Sequence, residues 1–475
     1  MSAGRLTRHS PPTVIGIVHL GLGAFFRAHG AIYTEEAMAA SGGEWGILGV
    51  SLQSPATRDQ LEPQGGVYTA LELGPGGAVA RPVASVARVL VAQEDPEAVI
   101  AAMADPAVRV VTLTVTEKGY CHEPSTGVLL RDHPAIRHDI EHDLPVSAPG
   151  FLVRALAARR AAGLRPFTVL TCDNLPNNGR VVRAVVLALA REIDPALADW
   201  IEAEARFPAT MVDRIVPATK PEDIETVTRL TGWLDAAPVV HEPFRQWVIE
   251  DDFVDGARPD WVIAGAQMVP DVTPFEHLKL RMLNGTHSAL AYLGYLAGHE
   301  TIADTMADPV FAAYVARLWR EEIIPVLAAP PGTSLDDYAG ALAARYANPA
   351  LRHRTWQIAM DGSQKLPQRI LGTLGEALDR GRTCPGLVLA VAAWMRYVGG
   401  VDEAGNPIDV RDPMAARLRK LSQSADDPAG KVAALLGVTE VFPRELAAQL
   451  QQPVTAAYVS LLRLGARAAA EEVIR

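Results

Sequence analysis

The chain has 475 residues, more than one hydrophobic core usually supports, so two domains are expected. Hydrophobic residues make up 49% and charged residues 21%, an ordinary soluble composition, while a formal net charge of -11 lacks the basic footprint that nucleic-acid binding needs. Three cysteines without metal-type spacing argue against a disulfide framework, and no apolar run is long enough to cross a bilayer, so a cytoplasmic protein away from membranes is expected.

In chain order, the opening MSAGRLTRHSPPT shows no apolar signal segment. Residues 14–20 (VIGIVHL) read as a buried strand that ends in glycines, with a helical stretch following from Phe26. Residues 45–52 (WGILGVSL) read as a second strand. Residues 108–115 (VRVVTLTV) form a third, preceded by the helical DPEAVIAAMAD. Residues 167–172 (FTVLTC) form a fourth, preceded by the Ala/Arg-rich helix FLVRALAARRAAG. Strands alternating with helices predict βαβ units and a mostly parallel sheet.

After about residue 272 apolar positions recur at helical spacing, as in LNGTHSALAYLGYLAG, VFAAYVARLWREEIIPVL and VLAVAAWMRYVGG. AAPPGTS, TCPG, GVDEAGNP and QQPV are expected to break the helices. The fold expected is an α/β domain over residues 1–270 and a mainly α-helical domain over residues 271–475.

HLGLGAFFRAH sets Gly21 and Gly23 between a strand and a helix, as in a turn that cradles a pyrophosphate. Phe26 stands where the third glycine of that motif belongs, so a plain strand-to-helix turn is the alternative. The next strand ends in GVSLQSPATRDQL, with no acid for a ribose 2′-OH immediately after Leu52. Asp59 comes late, after Arg58. Arg58 could meet a 2′-phosphate or be a solvated surface arginine, which leaves NAD and NADP both open.

KLRMLNGTH holds a second candidate. Lys279, Leu283 and His287 are four apart and Asn284 is five after Lys279, which on a helix turns the polar trio toward one side. A desolvated lysine can serve as a general base, an asparagine amide can bind a developing alkoxide, and a histidine can orient hydroxyls. The plain alternative is a surface lysine, a capping asparagine and a packed histidine. Asp173 and Asn174 follow the fourth strand, and Glu117 and Lys118 follow the third, where ligands bind in open α/β sheets. Asp213 and Arg214 (MVDRIVP), and Arg245 with Gln246 and Trp247, mark two more dense polar stretches. RHRTWQIAMDGSQKLPQR gathers Arg352, His353, Arg354, Lys365 and Arg369. Such a cluster can hold a carboxylate or phosphate, or form a solvated, ion-paired face. No metal, nucleophile-elbow or P-loop signature appears.

VHLGLGAFFRAHGAIYT, LTVTEKGYC, FTVLTCDNLPNNG, FPATMVDRIVPAT, PFRQWVIEDDFVDGARPDW, KLRMLNGTHSALAYLGYLAG and GVDEAGNPIDVRDP together resemble the polyol-specific long-chain dehydrogenases, the mannitol dehydrogenase family, over nearly the whole chain. The resemblance implies that residues 1–270 form a Rossmann-type NAD-binding domain and residues 271–475 a helical substrate and catalytic domain, with metal-independent hydride transfer at a secondary alcohol with NAD, in an enzyme that is a monomer. It implies Lys279 as catalytic base, Asn174 and Asn284 as ligands of the reacting oxygen, His287 as a substrate contact and Glu276 as a proton relay. Gly21, Gly23, Phe26, Arg27, Thr116, Glu117 and Asn174 fall to the cofactor. Asp213, Arg354, Lys365 and Arg369 fall to the substrate. Pro55 and Ala56 replace the acidic pair that selects NAD in mannitol 2-dehydrogenases, and Gln357 replaces an arginine of those enzymes. With TVTEKGY and the cationic cluster, this implies interconversion of D-fructuronate and D-mannonate; oxidation of mannitol or D-arabinitol is the alternative. A dinucleotide-binding sensor without catalysis is the rival from another class, and the intact Lys279, Asn284 and His287 argue against it.

Overall fold

The structure, a computed structural model, describes residues 4–123 and 126–475. It divides into two compact units, the first ending at Thr273 and the second beginning at Pro274.

The first unit is built on a five-stranded parallel sheet. Its strands are β1 (Ile15–Leu20), β2 (Gly46–Ser51), β3 (Val86–Val91), β4 (Val110–Leu113) and β5 (Thr168–Thr171), in the order β3-β2-β1-β4-β5. That order is half of a doubly wound dinucleotide-binding sheet. Both faces are buried, which explains why the strands read as apolar runs. Val18, Val111 and Val169 join the core on one face, while Ile17, Val110 and Leu170 join the core on the other. Helices Pro96–Ala104 and Ala148–Ala161 fall on DPEAVIAAMAD and on FLVRALAARRAAG. β3 escapes the sequence reading because it is an edge strand: Arg88 stays exposed and interrupts the apolar run. The reading also missed two three-stranded sheets, one of them carrying the Tyr68–Gly74 and Gly77–Val83 hairpin.

The second unit is helical. Helix Pro385–Val398 is apolar almost all round and buried along nearly its whole length, with helices Thr286–Leu296 and Arg444–Leu464 packed on it. One expected break is absent: QQPV lies inside the 21-residue helix Arg444–Leu464. Pro453 removes one helical hydrogen bond, but it and Gln449, four residues earlier, are both exposed. The carbonyl left over can therefore be hydrated. No helix of the described residues is long and apolar enough to cross a membrane.

Candidate active site

Two regions carry the sequence candidates, one in each unit. In the first unit the chain leaves β1 through Gly21, whose φ of +92° suits glycine. A side chain there would run into the Thr114 carbonyl oxygen, while a Cβ on Gly23 would meet only the Gly21 carbonyl oxygen, at 3.8 Å. The turn is held from below by His19. Its Nδ1 lies 2.8 Å from Thr112 Oγ1 and its Nε2 lies 2.9 Å from Thr114 Oγ1, which in turn donates to the Gly21 carbonyl at 2.9 Å. Beside this turn opens a cavity of about 430 Å³, lined among others by Gly21, Gly23, Ser51, Gln53, Thr57 and Thr116. A glycine that cannot carry a side chain, next to an open glycine and a cavity at the carboxyl ends of β1, β2 and β4, fits a dinucleotide.

Phe26 and Arg27 hold this turn from behind and do not line the cavity. The Phe26 ring stacks on His19 with centroids 3.4 Å apart, and Arg27 is buried, donating to the Ala237 carbonyl at 2.6 Å and the Gly23 carbonyl at 3.4 Å. Where the motif would have a third glycine for close helix packing, an aromatic stack fills the space.

The loops after β4 and β5 are tied together by Asp173. Its carboxylate accepts from the Val115 and Thr116 amides, both at 2.9 Å, and from the Tyr120 hydroxyl at 2.6 Å. Burial pushes the Asp173 carboxyl up, and these three donors pull it back. The tie holds Thr116 at a positive φ of 66° and sets exposed Glu117 and exposed Asn174 on neighbouring loop tips. Asp213 is buried at the end of strand Thr210–Asp213, paired in register with Gln246.

In the second unit, Lys279–Gly285 is a π-helix between helices Thr273–Leu278 and Thr286–Leu296. This corrects the geometry expected for KLRMLNGTH. On an α-helix a residue five along lies about 140° around the axis, not beside the first. A π turn, which closes its bonds at i+5, brings Asn284 back toward the side of Lys279. Two carbonyls of the turn also accept from side chains. Met282 O accepts from Trp319 Nε1 at 3.0 Å and from Thr286 Oγ1 at 2.5 Å, and Leu283 O accepts from the Tyr346 hydroxyl at 2.6 Å. Gly285 is required: a Cβ there would stand 2.5 Å from the Arg369 carbonyl oxygen, on a second π turn, Pro367–Leu371, packed against the first. Arg281 donates to Glu376 through Nη1 and Nη2, at 2.7 and 2.5 Å, and anchors the turn beside Lys279.

His287 begins the next stretch of helix. Its ring stacks on Tyr346 with centroids 5.2 Å apart and lies 4.7 Å from His353. Its Nε2 is buried without a hydrogen-bond partner among the described residues. Burial first, then the nearby His353, Arg369, Arg345 and Lys365, hold its pKa well below the usual histidine value. His287 is thus a neutral imidazole with a polar atom available to a ligand, set in a positive field.

The structure sorts the cationic cluster differently from the sequence. Lys365 and Arg369 both act on the His287 charge; Arg369 Nη1 donates to Ser288 Oγ at 3.1 Å, and Lys365 donates to the Met360 carbonyl at 2.6 Å and lies 4.0 Å from Asp361. Arg354 does not join them: it is mostly exposed, pairs with Glu300 at 3.5 Å and lines a separate cavity with Trp356 and Tyr295. Its place in the field is taken by Arg345, only 7% exposed, which the sequence reading missed. An arginine in the Ala-rich ALAARY reads as the solvent face of a helix. The neighbouring aromatic Tyr346 is the one signal in the sequence that this face is covered.

Burial holds four more histidines neutral: His19, His29 and His241 titrate at about 3 and His353 at about 4. In the unfolded chain each takes a proton near 6.5. Above that pH they are neutral in both states and leave stability unchanged; below it the unfolded state binds more protons, so they cost the fold stability as the pH falls. Each contributes up to about 1.4 kcal/mol per pH unit in that window. Thermal melts at pH 7.0 and 5.5, the latter still above the carboxylate range, should show a midpoint several degrees lower at pH 5.5. An unchanged midpoint would contradict neutral burial.

The Mannitol dehydrogenase Rossmann domain matches residues 15–262, and the Mannitol dehydrogenase C-terminal domain matches residues 271–462. The chain is 49% identical to the D-mannonate oxidoreductase of Escherichia coli (strain K12), over 95% of this chain and 94% of that protein. It is 43% identical to a mannitol 2-dehydrogenase of Pyrenophora tritici-repentis, over 87% of this chain and 74% of that one. Among solved structures, a Pseudomonas fluorescens mannitol 2-dehydrogenase in ternary complex with NAD and D-mannitol superposes with a TM-score of 0.86 at 38% identity, covering 100% of this chain and 97% of that one.

Proposed function

The chain belongs to the mannitol dehydrogenase family of secondary-alcohol oxidoreductases, and from that membership we propose that it interconverts D-fructuronate and D-mannonate with NAD as cofactor. Bound NAD supplies the hydride acceptor for C5 of the alcohol, and NADH the donor for the ketone. Lys279 takes the hydroxyl proton during oxidation and returns it during reduction, and Glu276, one residue short of a full turn earlier, relays it. Asn174 and Asn284 offer amide donors to the oxygen as charge grows on it. His287, kept neutral, donates to or accepts from a substrate hydroxyl without adding charge, and Asp213 takes part in holding the substrate. Gly21, Gly23 and Thr116 cradle the cofactor. The same reading makes the protein a cytoplasmic monomer, in keeping with three buried, unpaired cysteines.

The choice of a sugar acid over a neutral polyol rests on one observation. Arg345, Lys365 and Arg369 all act on the imidazole of His287. Cations gathered about a neutral histidine set up a positive field that favours a substrate carboxylate over a neutral hydroxyl there. A panel of fructuronate, tagaturonate, fructose and xylulose with NADH tests this. Fructuronate should give the highest kcat/KM. Strong turnover of fructose with none of fructuronate would reverse the assignment toward mannitol 2-dehydrogenase, the activity named for two of the relatives above.

A further inference from the structure

The rim of the cofactor cavity at the end of β2 has an unusual charge arrangement. In dinucleotide sheets the residue that meets the adenosine ribose follows this strand: an acid for a free 2′-OH, an arginine for a 2′-phosphate. Here Ser51 is followed by Leu52, Gln53 and Ser54, with no acid among them, and Gln53, Ser54 and Thr57 line the cavity. Gln53 is tied across to the loop after β3, its Oε1 accepting from Gln93 Nε2 at 2.9 Å. Arg58 follows Thr57 directly. Its guanidinium is fully engaged: Nη1 and Nη2 donate to the Glu94 carboxylate, the latter at 3.2 Å, and Nε donates to Asp59 at 2.9 Å. Glu62 lies 4.0 Å from Nε as well, so Arg58 is matched by three carboxylates, Asp59, Glu62 and Glu94: +1 against -3, a local net charge of -2. Lys118, which lines the cavity, comes from the loop after β4.

We propose that the Arg58–Glu94 pair selects NAD over NADP: Glu94 and Asp59 keep Arg58 from the ribose and leave a rim whose net negative charge repels a 2′-phosphate. The selection replaces the usual contact of a carboxylate with the ribose hydroxyls, and it rests on the reading of the cavity as an NAD site. The pair is exposed on its Glu94 side, and such pairs are individually weak. Arg58 is consequently a latent phosphate ligand, available once Glu94 no longer competes for it. Because the discrimination is electrostatic at a surface, it should shrink as ionic strength rises.

The test is equilibrium binding of NADH and NADPH to the full-length protein, followed by nucleotide fluorescence. Wild type should bind NADH the more tightly. Glu94→Gln should tighten NADPH about tenfold and move NADH by less than twofold, and adding Arg58→Ala to Glu94→Gln should remove the gain. An unchanged NADPH/NADH ratio in Glu94→Gln overturns the proposal. So does a gain that survives Arg58→Ala, or a wild type that already binds both alike. Failure of wild type to bind NADH at all is a distinct result, which would remove the cofactor assignment beneath it.

Discussion

Replacing Lys279 by Met should lower kcat by about 10³-fold, the range general acid–base catalysis supplies, and leave NADH affinity within a few-fold of wild type. Methionine keeps the aliphatic stem, so the half-buried site stays filled and only the ammonium is lost. The turn itself should survive, because two of its carbonyls are held by Trp319, Thr286 and Tyr346, and its flank by the Arg281–Glu376 pair. A melting midpoint close to wild type, measured alongside kcat and NADH binding, separates chemistry from folding. Turnover within tenfold of wild type would end the assignment of Lys279 as the proton-transfer group.

Arg369→Met should split acidic from neutral substrates. A hydrogen bond to a charged group is worth about 1.5–3 kcal/mol, which corresponds to roughly 10- to 100-fold in kcat/KM on fructuronate. On fructose the same variant should change by less than about threefold, since no carboxylate is there to miss the charge. The Arg369 backbone carbonyl, against which Gly285 packs, is untouched by the substitution. The loss on fructuronate should appear mainly in KM, because a carboxylate remote from the reacting C–O group is bound alike in ground and transition states. Equal losses on both substrates would place Arg369 in the support of His287 rather than on the carboxylate.

The parallel sheet was legible because strands buried on both faces must be apolar at every position, a pattern that survives without any partner in view. The glycine turn was legible for the same local reason. β3 was not, because an edge strand tolerates Arg88 on its open side. Pro453 misled because a proline's effect depends on whether the stranded carbonyl is hydrated, which depends on which face of the helix meets solvent.

By itself, the sequence determined what depends on near neighbours along the chain: strand and helix periods, the Gly21 turn, and the grouping of Lys279, Asn284 and His287 in one short segment. Only the tertiary structure decided how that segment is wound and what surrounds it. The π turn is held by Trp319 and Tyr346, which donate to its carbonyls, and by Gly285, which admits the Arg369 backbone. The field at His287 comes from Arg345, Lys365 and Arg369 and leaves out Arg354, although Arg354 stands in the densest cationic run of the sequence. Charge acts through space and falls off with distance and solvent, so which arginine matters is set by where helices pack and not by where the letters cluster.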